Sequence, residues 1–244
     1  MTQHTLLLTG ASRGIGHATG KLFADEGWRV VTVSRQAFSP RCPWLGGPEN
    51  HVQLDLGNLD RIEAGIAEIR AKLPERKLDA VVNNAGISPK GPGGARLGVL
   101  QSSISTWLQV FSVNLFSTAL LMKGLIDLLE TGKGSIVNVT SIAGTRVHPY
   151  AGAAYACSKA ALLSLTREMA AEFAPLGVRT NAISPGEIDT AILSPGTAAF
   201  ADREVPMRRL GKPSEVASAI YFLCSDAASY VNGTELHING GQHV

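Results

Sequence analysis

The sequence is short of charge, short of cysteine and free of basic runs, and each shortage closes off a class of protein. Charged residues make up 17% of the 244 and hydrophobic residues 45%, a balance too apolar for a disordered chain and suited to a well-buried core. The net charge is +2, and no Lys/Arg cluster or basic–aromatic alternation appears, so nothing favours nucleic acid as a partner. The three cysteines, Cys42, Cys157 and Cys224, have neither disulfide-framework nor metal-site spacing. That pattern points to a reduced, cytoplasmic setting and to no bound metal. Met1-Thr-Gln-His leads straight into an apolar strand, without the basic region or cleavage site of a signal peptide.

Charge is missing altogether from residues 97–122, a run of 26. A membrane span of that length should be apolar, yet ten of these residues are Ser, Thr, Gln or Asn. Trp107, Phe111, Leu115 and Met122 fall instead on a helical stripe, which predicts a buried amphipathic helix.

Elsewhere strands alternate with helices. Strands are expected over residues 5–9, 29–34, 51–54, 78–83, 135–140, 177–184 and 235–238. Helices are expected over 17–27, 59–73, 104–130, 153–174 and 214–224. Residues 36–50, with Pro40, Pro43, Pro48, Gly46 and Gly47, read as loop; 87–98 reads as a mobile Gly/Pro loop, and 190–201 as short and irregular. The strand Arg29-Val-Val-Thr-Val-Ser34 shows no polar alternation, as in a parallel sheet covered on both faces. The pattern predicts an α/β fold, a doubly wound parallel sheet of about seven strands with helices on both faces, in one domain over residues 1–244.

Two stretches carry chemistry. The first is Gly10-x-x-x-Gly14-x-Gly16, between the first strand and the first helix. Glycines allow close backbone packing there, and a helix N-terminus offers free N–H groups and partial positive charge to a pyrophosphate. The spacing differs from the general dinucleotide fingerprint. An NAD site needs a carboxylate at the end of the second strand for the ribose hydroxyls, whereas this strand ends Val33-Ser34-Arg35. Arg13 and Arg35 can converge on a 2′-phosphate as a charge-assisted clamp, which favours NADP(H) over NAD(H).

The second stretch is Tyr155-Ala-Cys-Ser-Lys159, in a helix that places the phenol and the ammonium one turn apart on one face. A free phenol, with a pKa near roughly 10, shuttles protons poorly at neutrality. A fixed cation beside it is expected to lower that pKa and make Tyr155 a usable acid and base.

With these motifs stand Asp55-Leu56, Asn83-Asn-Ala-Gly86, Asn114, Asn138-Val-Thr-Ser141, Pro185-Gly186 and Asn232-Gly-Thr-Glu-Leu-His-Ile-Asn-Gly-Gly241. In this order they resemble the short-chain dehydrogenase/reductase family through almost the whole chain. The resemblance implies a Rossmann fold and a catalytic tetrad of Asn114, Ser141, Tyr155 and Lys159. Ser141 would hold the substrate oxygen, Tyr155 would give or take its proton, Lys159 would lower the Tyr155 pKa and bind the nicotinamide ribose, and Asn114 would hold a relay water. The cofactor would meet the turn at Gly10, Ser12, Arg13, Gly14, Ile15 and Gly16. Ser34 and Arg35 would lie at its ribose phosphate, Asp55 and Leu56 near adenine, and Asn84, Ala85 and Gly86 along its floor. Pro185, Gly186, Ile188 and Thr190 would lie at its carboxamide end, beside Tyr155 and Lys159.

The expected activity is NADP(H)-dependent interconversion of a small carbonyl compound and its alcohol. Alternatives are a 3-oxoacyl-[acyl-carrier-protein] reductase of fatty-acid synthesis and a non-catalytic NADP(H)-binding sensor. The apolar breadth of the helices at 104–130 and 153–174 points to a homo-oligomer, a tetramer or dimer, with no membrane partner.

Three loops depart from the family pattern. The Ser141–Tyr155 interval is one residue longer than the family pattern. Compared with the carrier-protein branch, the Gly86–Asn114 interval is longer and the segment 190–205 shorter. Asn239 stands where the family usually has Asp, which reads as a surface change. His148 and Arg146 are candidate substrate contacts set against solvated side chains. Cys157 reads as a packing residue, and Trp44 as a possible neighbour of adenine.

Overall fold

Leu6, Leu7 and Leu8 are fully buried, which only a strand covered on both faces allows. The strand they form, β1 (Thr5–Thr9), is the centre of the fold. Leu7 enters a core layer with Val31, Val81, Ile136 and Met169, whereas Leu6 and Leu8 join Val30, Val82, Val137 and Ile220 on the opposite face. Each such leucine contributes about 2 kcal/mol of burial. The structure is a computed structural model and describes residues 3–39, 42, 44, 46–194 and 196–244. Met1 and Thr2 lie outside the described residues, as do Pro40 and Pro43 from the loop expectation for 36–50.

Seven parallel strands run in the order β3-β2-β1-β4-β5-β6-β7. The others are β2 (Arg29–Ser34), β3 (His51–Gln53), β4 (Ala80–Asn83), β5 (Ser135–Val139), β6 (Arg179–Pro185) and β7 (Glu235–Ile238). On one face lie α2 (Ile62–Ala71), α4 (Ser117–Gly132) and α5 (Ala153–Phe173), through Ile69, Leu125 and Phe173. On the other lie α1 (Gly14–Asp25) and α7 (Pro213–Cys224), through Phe23 and Leu223. The expected doubly wound sheet is present, with its strand count.

Three local expectations change. The helix expected over 104–130 is α3 (Ile104–Phe111), a π-helical turn at Ser112–Phe116, then α4. By length and composition Ile104–Gly132 could cross a membrane. Val110, Leu121, Met122, Leu125 and Leu129 of that run are nevertheless buried in the protein. The region read as irregular contains α6 (Thr197–Glu204), where Thr197, Ala201 and Val205 recur every four residues and are buried.

Residues 87–98 were read as a mobile loop, but backbone and side-chain bonds pin them. Lys90 donates to the Tyr150 carbonyl, Arg96 Nε donates to the Ala151 carbonyl at 2.8 Å, and Ala153 N–H donates to Leu97 O at 2.8 Å.

Candidate active site

The carboxyl ends of β1, β4, β5 and β6 open into a cleft of about 280 Å³, the usual ligand position in an open parallel sheet. At its base Thr9 Oγ1 accepts the N–H groups of Asn84 and Ala85, both at 3.0 Å. Asn84 Nδ2 donates back to Thr9 O and Gly10 O at 3.1 and 3.0 Å, binding the end of β4 to the glycine turn. A Cβ on Gly16 would lie 2.2 Å from Gly10 O, so this glycine permits the turn to close on its own helix. Gly16 is buried and shapes the turn from behind.

Gly10, Ser12, Arg13, Gly14 and Ile15 line the cleft's outer part. No side chain caps α1, so the N–H groups of its first turn remain available to an anion. Ser34, Arg35, Asp55 and Leu56 continue the wall. Among the described residues neither Arg13 nor Arg35 forms an ion pair; both are exposed, and β2 ends without a carboxylate. Asp55 Oδ1 accepts from Gly57 N at 2.9 Å, which shapes the local turn. An uncapped helix end, free guanidinium groups and a glycine-lined floor together suit a nicotinamide dinucleotide.

At the inner end stand Ser141, Tyr155 and Lys159, with Ala85, Gly86, Pro185, Gly186, Ile188 and Thr190 around them. Ser141 follows β5 in extended conformation; its Oγ accepts from Ala143 N at 3.2 Å, and its side chain acts on the Tyr155 hydroxyl beside it. Lys159 Nζ donates to Val139 O at 2.6 Å and stands 5.8 Å from the Tyr155 ring centre. Burial alone brings the Lys159 pKa down to about 8.

The expected lowering of the Tyr155 pKa is not what this arrangement produces. Tyr155 as a residue is half-buried, but its titrating hydroxyl is enclosed, and desolvation pushes its pKa up. Ser141 pulls the other way, and the charge of Glu187 adds to the rise. The ammonium, bonded to strand β5, is not among the causes. Tyr155 is a protonated phenol at neutrality, ready to donate to a carbonyl oxygen.

Asn114 sits in the π-helical turn, 1% exposed, and does not line the cleft. Its Oδ1 accepts from Ile87 N at 2.8 Å; its Nδ2 donates to Ile87 O and to Ser158 Oγ, each at 3.0 Å. A Cβ on Gly86 would meet Lys159 Nζ at 3.4 Å and Asn114 Oδ1 at 3.5 Å, so Gly86 separates the two.

A second cavity of about 90 Å³ adjoins the first and shares Ser141, Tyr155, Gly186, Ile192 and Leu193 with it. Lys90, His148, Tyr150 and Glu187 also line it. His148 Nε2 is hydrogen-bonded to Glu187 Oε1, and both side chains are buried. Lys90 and Glu187 escaped the sequence reading, because a lysine in a Gly/Pro loop and a glutamate after Pro-Gly carry no motif. His148 is buried rather than solvated.

Other expectations are corrected. Arg146 donates to the Gln242 carbonyl, which ties it to the C-terminal segment. Trp44 is 4% exposed, packs on Gly20 beside His17, and lies away from the cleft. Cys157 is exposed rather than packed. Asn239 is 6% exposed, not a surface residue: a Cβ on Gly186 would lie 2.6 Å from Asn239 Cβ, and its Oδ1 is hydrogen-bonded to His243.

A family profile described as enoyl-(acyl carrier protein) reductase matches residues 10–243. The chain is similar to protein FixR of Bradyrhizobium diazoefficiens, with 57% identity over 98% of this chain and 86% of that one. It is 35% identical to the 3-oxoacyl-[acyl-carrier-protein] reductase FabG of Vibrio cholerae, over 98% of this chain and 96% of that one. Among solved structures it resembles an oxidoreductase of the short-chain dehydrogenase/reductase family from Brucella ovis, in complex with a partially ordered NAD. That match has 54% identity and a TM-score of 0.85, over 98% of this chain and 100% of that one. On sheet order, cleft and relatives together, this chain belongs to the short-chain dehydrogenase/reductase family, oxidoreductases that work between a CH–OH group and a nicotinamide cofactor.

Proposed function

We propose that the protein is an NADP(H)-dependent oxidoreductase interconverting a small carbonyl compound and its alcohol, with Tyr155 as the proton donor and acceptor. The observation that carries this reading is the enclosed Tyr155 hydroxyl, which shares with Ser141 the place where the two cavities meet. Bound in the cleft, the nicotinamide would supply or accept the hydride. Ser141 holds the substrate oxygen, and Tyr155 passes it the proton as the carbonyl becomes an alcohol. Lys159, fixed by Val139, holds the nicotinamide ribose. Asn114 orders the loop at Ile87 and a relay water behind Lys159. Tyr155→Phe should bind NADPH as the parent does and lose turnover by about a thousandfold; unchanged turnover would sink the reading.

The preference for NADP(H) rests on Arg13, Arg35 and the acid-free end of β2. The Brucella ovis relative was solved with NAD, which makes cofactor choice a direct measurement. Equal affinity for NADH and NADPH would dismiss the arginine clamp.

A second reading, reduction of 3-oxoacyl thioesters, is favoured by the similarity to FabG and is tested with an acetoacetyl thioester. A non-catalytic sensor is disfavoured, since a binder has no use for Ser141, Tyr155 and Lys159 together at one end of the cleft. We further place the protein in the cytoplasm as a one-domain homo-oligomer, a tetramer or dimer. Ile104, Leu108, Phe116 and Leu120 form an exposed apolar stripe along α3 and α4 that a second copy would cover.

A further inference from the structure

We propose that the substrate is a zwitterion, a small amino acid whose side chain carries the reacting hydroxyl or oxo group. The proposal rests on the oxidoreductase reading and concerns the second cavity. Lys90 and Glu187 bring opposite charges to its wall, yet no ion pair joins them among the described residues. Each is held by something else: Lys90 by the Tyr150 carbonyl and Glu187 by His148. Glu187 nevertheless acts on Lys90 through space, opposing the lowering of its pKa by burial.

Glu187 Oε1 is hydrogen-bonded to His148 Nε2, and His148 Nδ1 accepts the Tyr150 N–H at 3.3 Å. The cavity wall thus carries a basic and an acidic side chain held apart from each other. A simple carboxylate would satisfy Lys90 but crowd Glu187, and a simple amine would do the reverse. An occupant bearing both an ammonium and a carboxylate satisfies the two together. Ser194 Oγ, buried and without a partner among the described residues, offers one more hydrogen bond. In the oxidative direction the hydroxyl carbon loses a hydride, with two electrons, to oxidised nicotinamide. The hydroxyl proton passes to Tyr155 in its phenolate form, whose own proton has first gone to solvent, and a C=O remains.

The test uses the full-length enzyme with NADP⁺ and three probes that share one reacting centre: L-threonine, 3-hydroxybutyrate and 1-aminopropan-2-ol. Threonine should show kcat/KM at least tenfold above both analogues. Lys90→Met should shrink its advantage over 1-aminopropan-2-ol by about tenfold, and Glu187→Gln its advantage over 3-hydroxybutyrate similarly. Calorimetry on the cofactor-bound enzyme should rank affinities in the same order, which tests the pocket independently of turnover. An analogue that binds and turns over as well as threonine, or preferences that both variants leave unchanged, would overturn the proposal. So would turnover confined to neutral carbonyls such as glyceraldehyde. Nicotinamide turnover absent with every compound, while threonine still binds best, would instead count against the oxidoreductase reading.

Discussion

Lys159 and Val139 are joined by a hydrogen bond of 2.6 Å from the buried ammonium to the last carbonyl of β5. Among the described residues no acid pairs with this cation; a strand end holds it, and the folded protein bears the cost of enclosing it. The Lys159 pKa is about 8 folded, against an ordinary 10.5. Below pH 8 the charge is present in both states and the cost is felt in full. Between pH 8 and 10.5 only the unfolded chain keeps the proton, so the cost fades and stability rises with pH. The gain is on the order of 3 kcal/mol. Lys159→Met should remove this upward trend from the denaturant midpoint between pH 8 and 10, while the parent retains it.

Glu187 should set the pH range of catalysis. Its charge helps to hold the Tyr155 pKa up, so Glu187→Gln should lower that pKa. In the reductive direction the alkaline fall in kcat should then begin at lower pH than in the parent. An unmoved limb would show that another group governs it.

Gly16 and Gly27 should respond very differently to alanine. At Gly16 the new methyl would meet Gly10 O at 2.2 Å and Asn84 Nδ2 at 2.5 Å, so the phosphate turn itself must shift. Gly16→Ala should cost about 1–3 kcal/mol of stability and weaken NADPH binding more than tenfold by fluorescence titration. Gly27 has φ +80° but open space around it. Gly27→Ala should cost only about 1–2 kcal/mol of backbone strain and leave cofactor affinity alone.

Asn114 should prove structural as well as functional. Asn114→Ala strands the Ile87 N–H, the Ile87 carbonyl and the Ser158 hydroxyl contact at once. A loss of about 2–4 kcal/mol in urea denaturation is expected. Asn114→Asp keeps the acceptor for Ile87 N–H and should recover part of it.

The sheet was legible in the sequence because buried parallel strands leave an unmistakable mark: Leu6-Leu7-Leu8 or Val30-Val31 without a polar break. The cleft residues were legible because the glycine turn and the Tyr155–Lys159 spacing are short-range patterns. What stayed hidden is long-range or geometric. The π-helical turn at Asn114 keeps the same apolar stripe as an α-helix, so periodicity passes over it. The Tyr155 pKa depends on Glu187, distant in sequence, and on enclosure, which spacing cannot express. Lys90 and Glu187 line one cavity only because Lys90 reaches across to Tyr150, ordering a loop that composition alone marks as loose.

The strand order β3-β2-β1-β4-β5-β6-β7 has a consequence for biosynthesis. The first strand made is an interior one; the next two extend the sheet on one side, and the last four extend it on the other. No later strand must be wedged between two already paired. The sheet can therefore grow by addition to open edges in the order the ribosome delivers them. Cofactor capture must wait longer: Gly10 emerges early, but Tyr155, Gly186 and Thr190 complete the same cleft only when more than three-quarters of the chain has been translated.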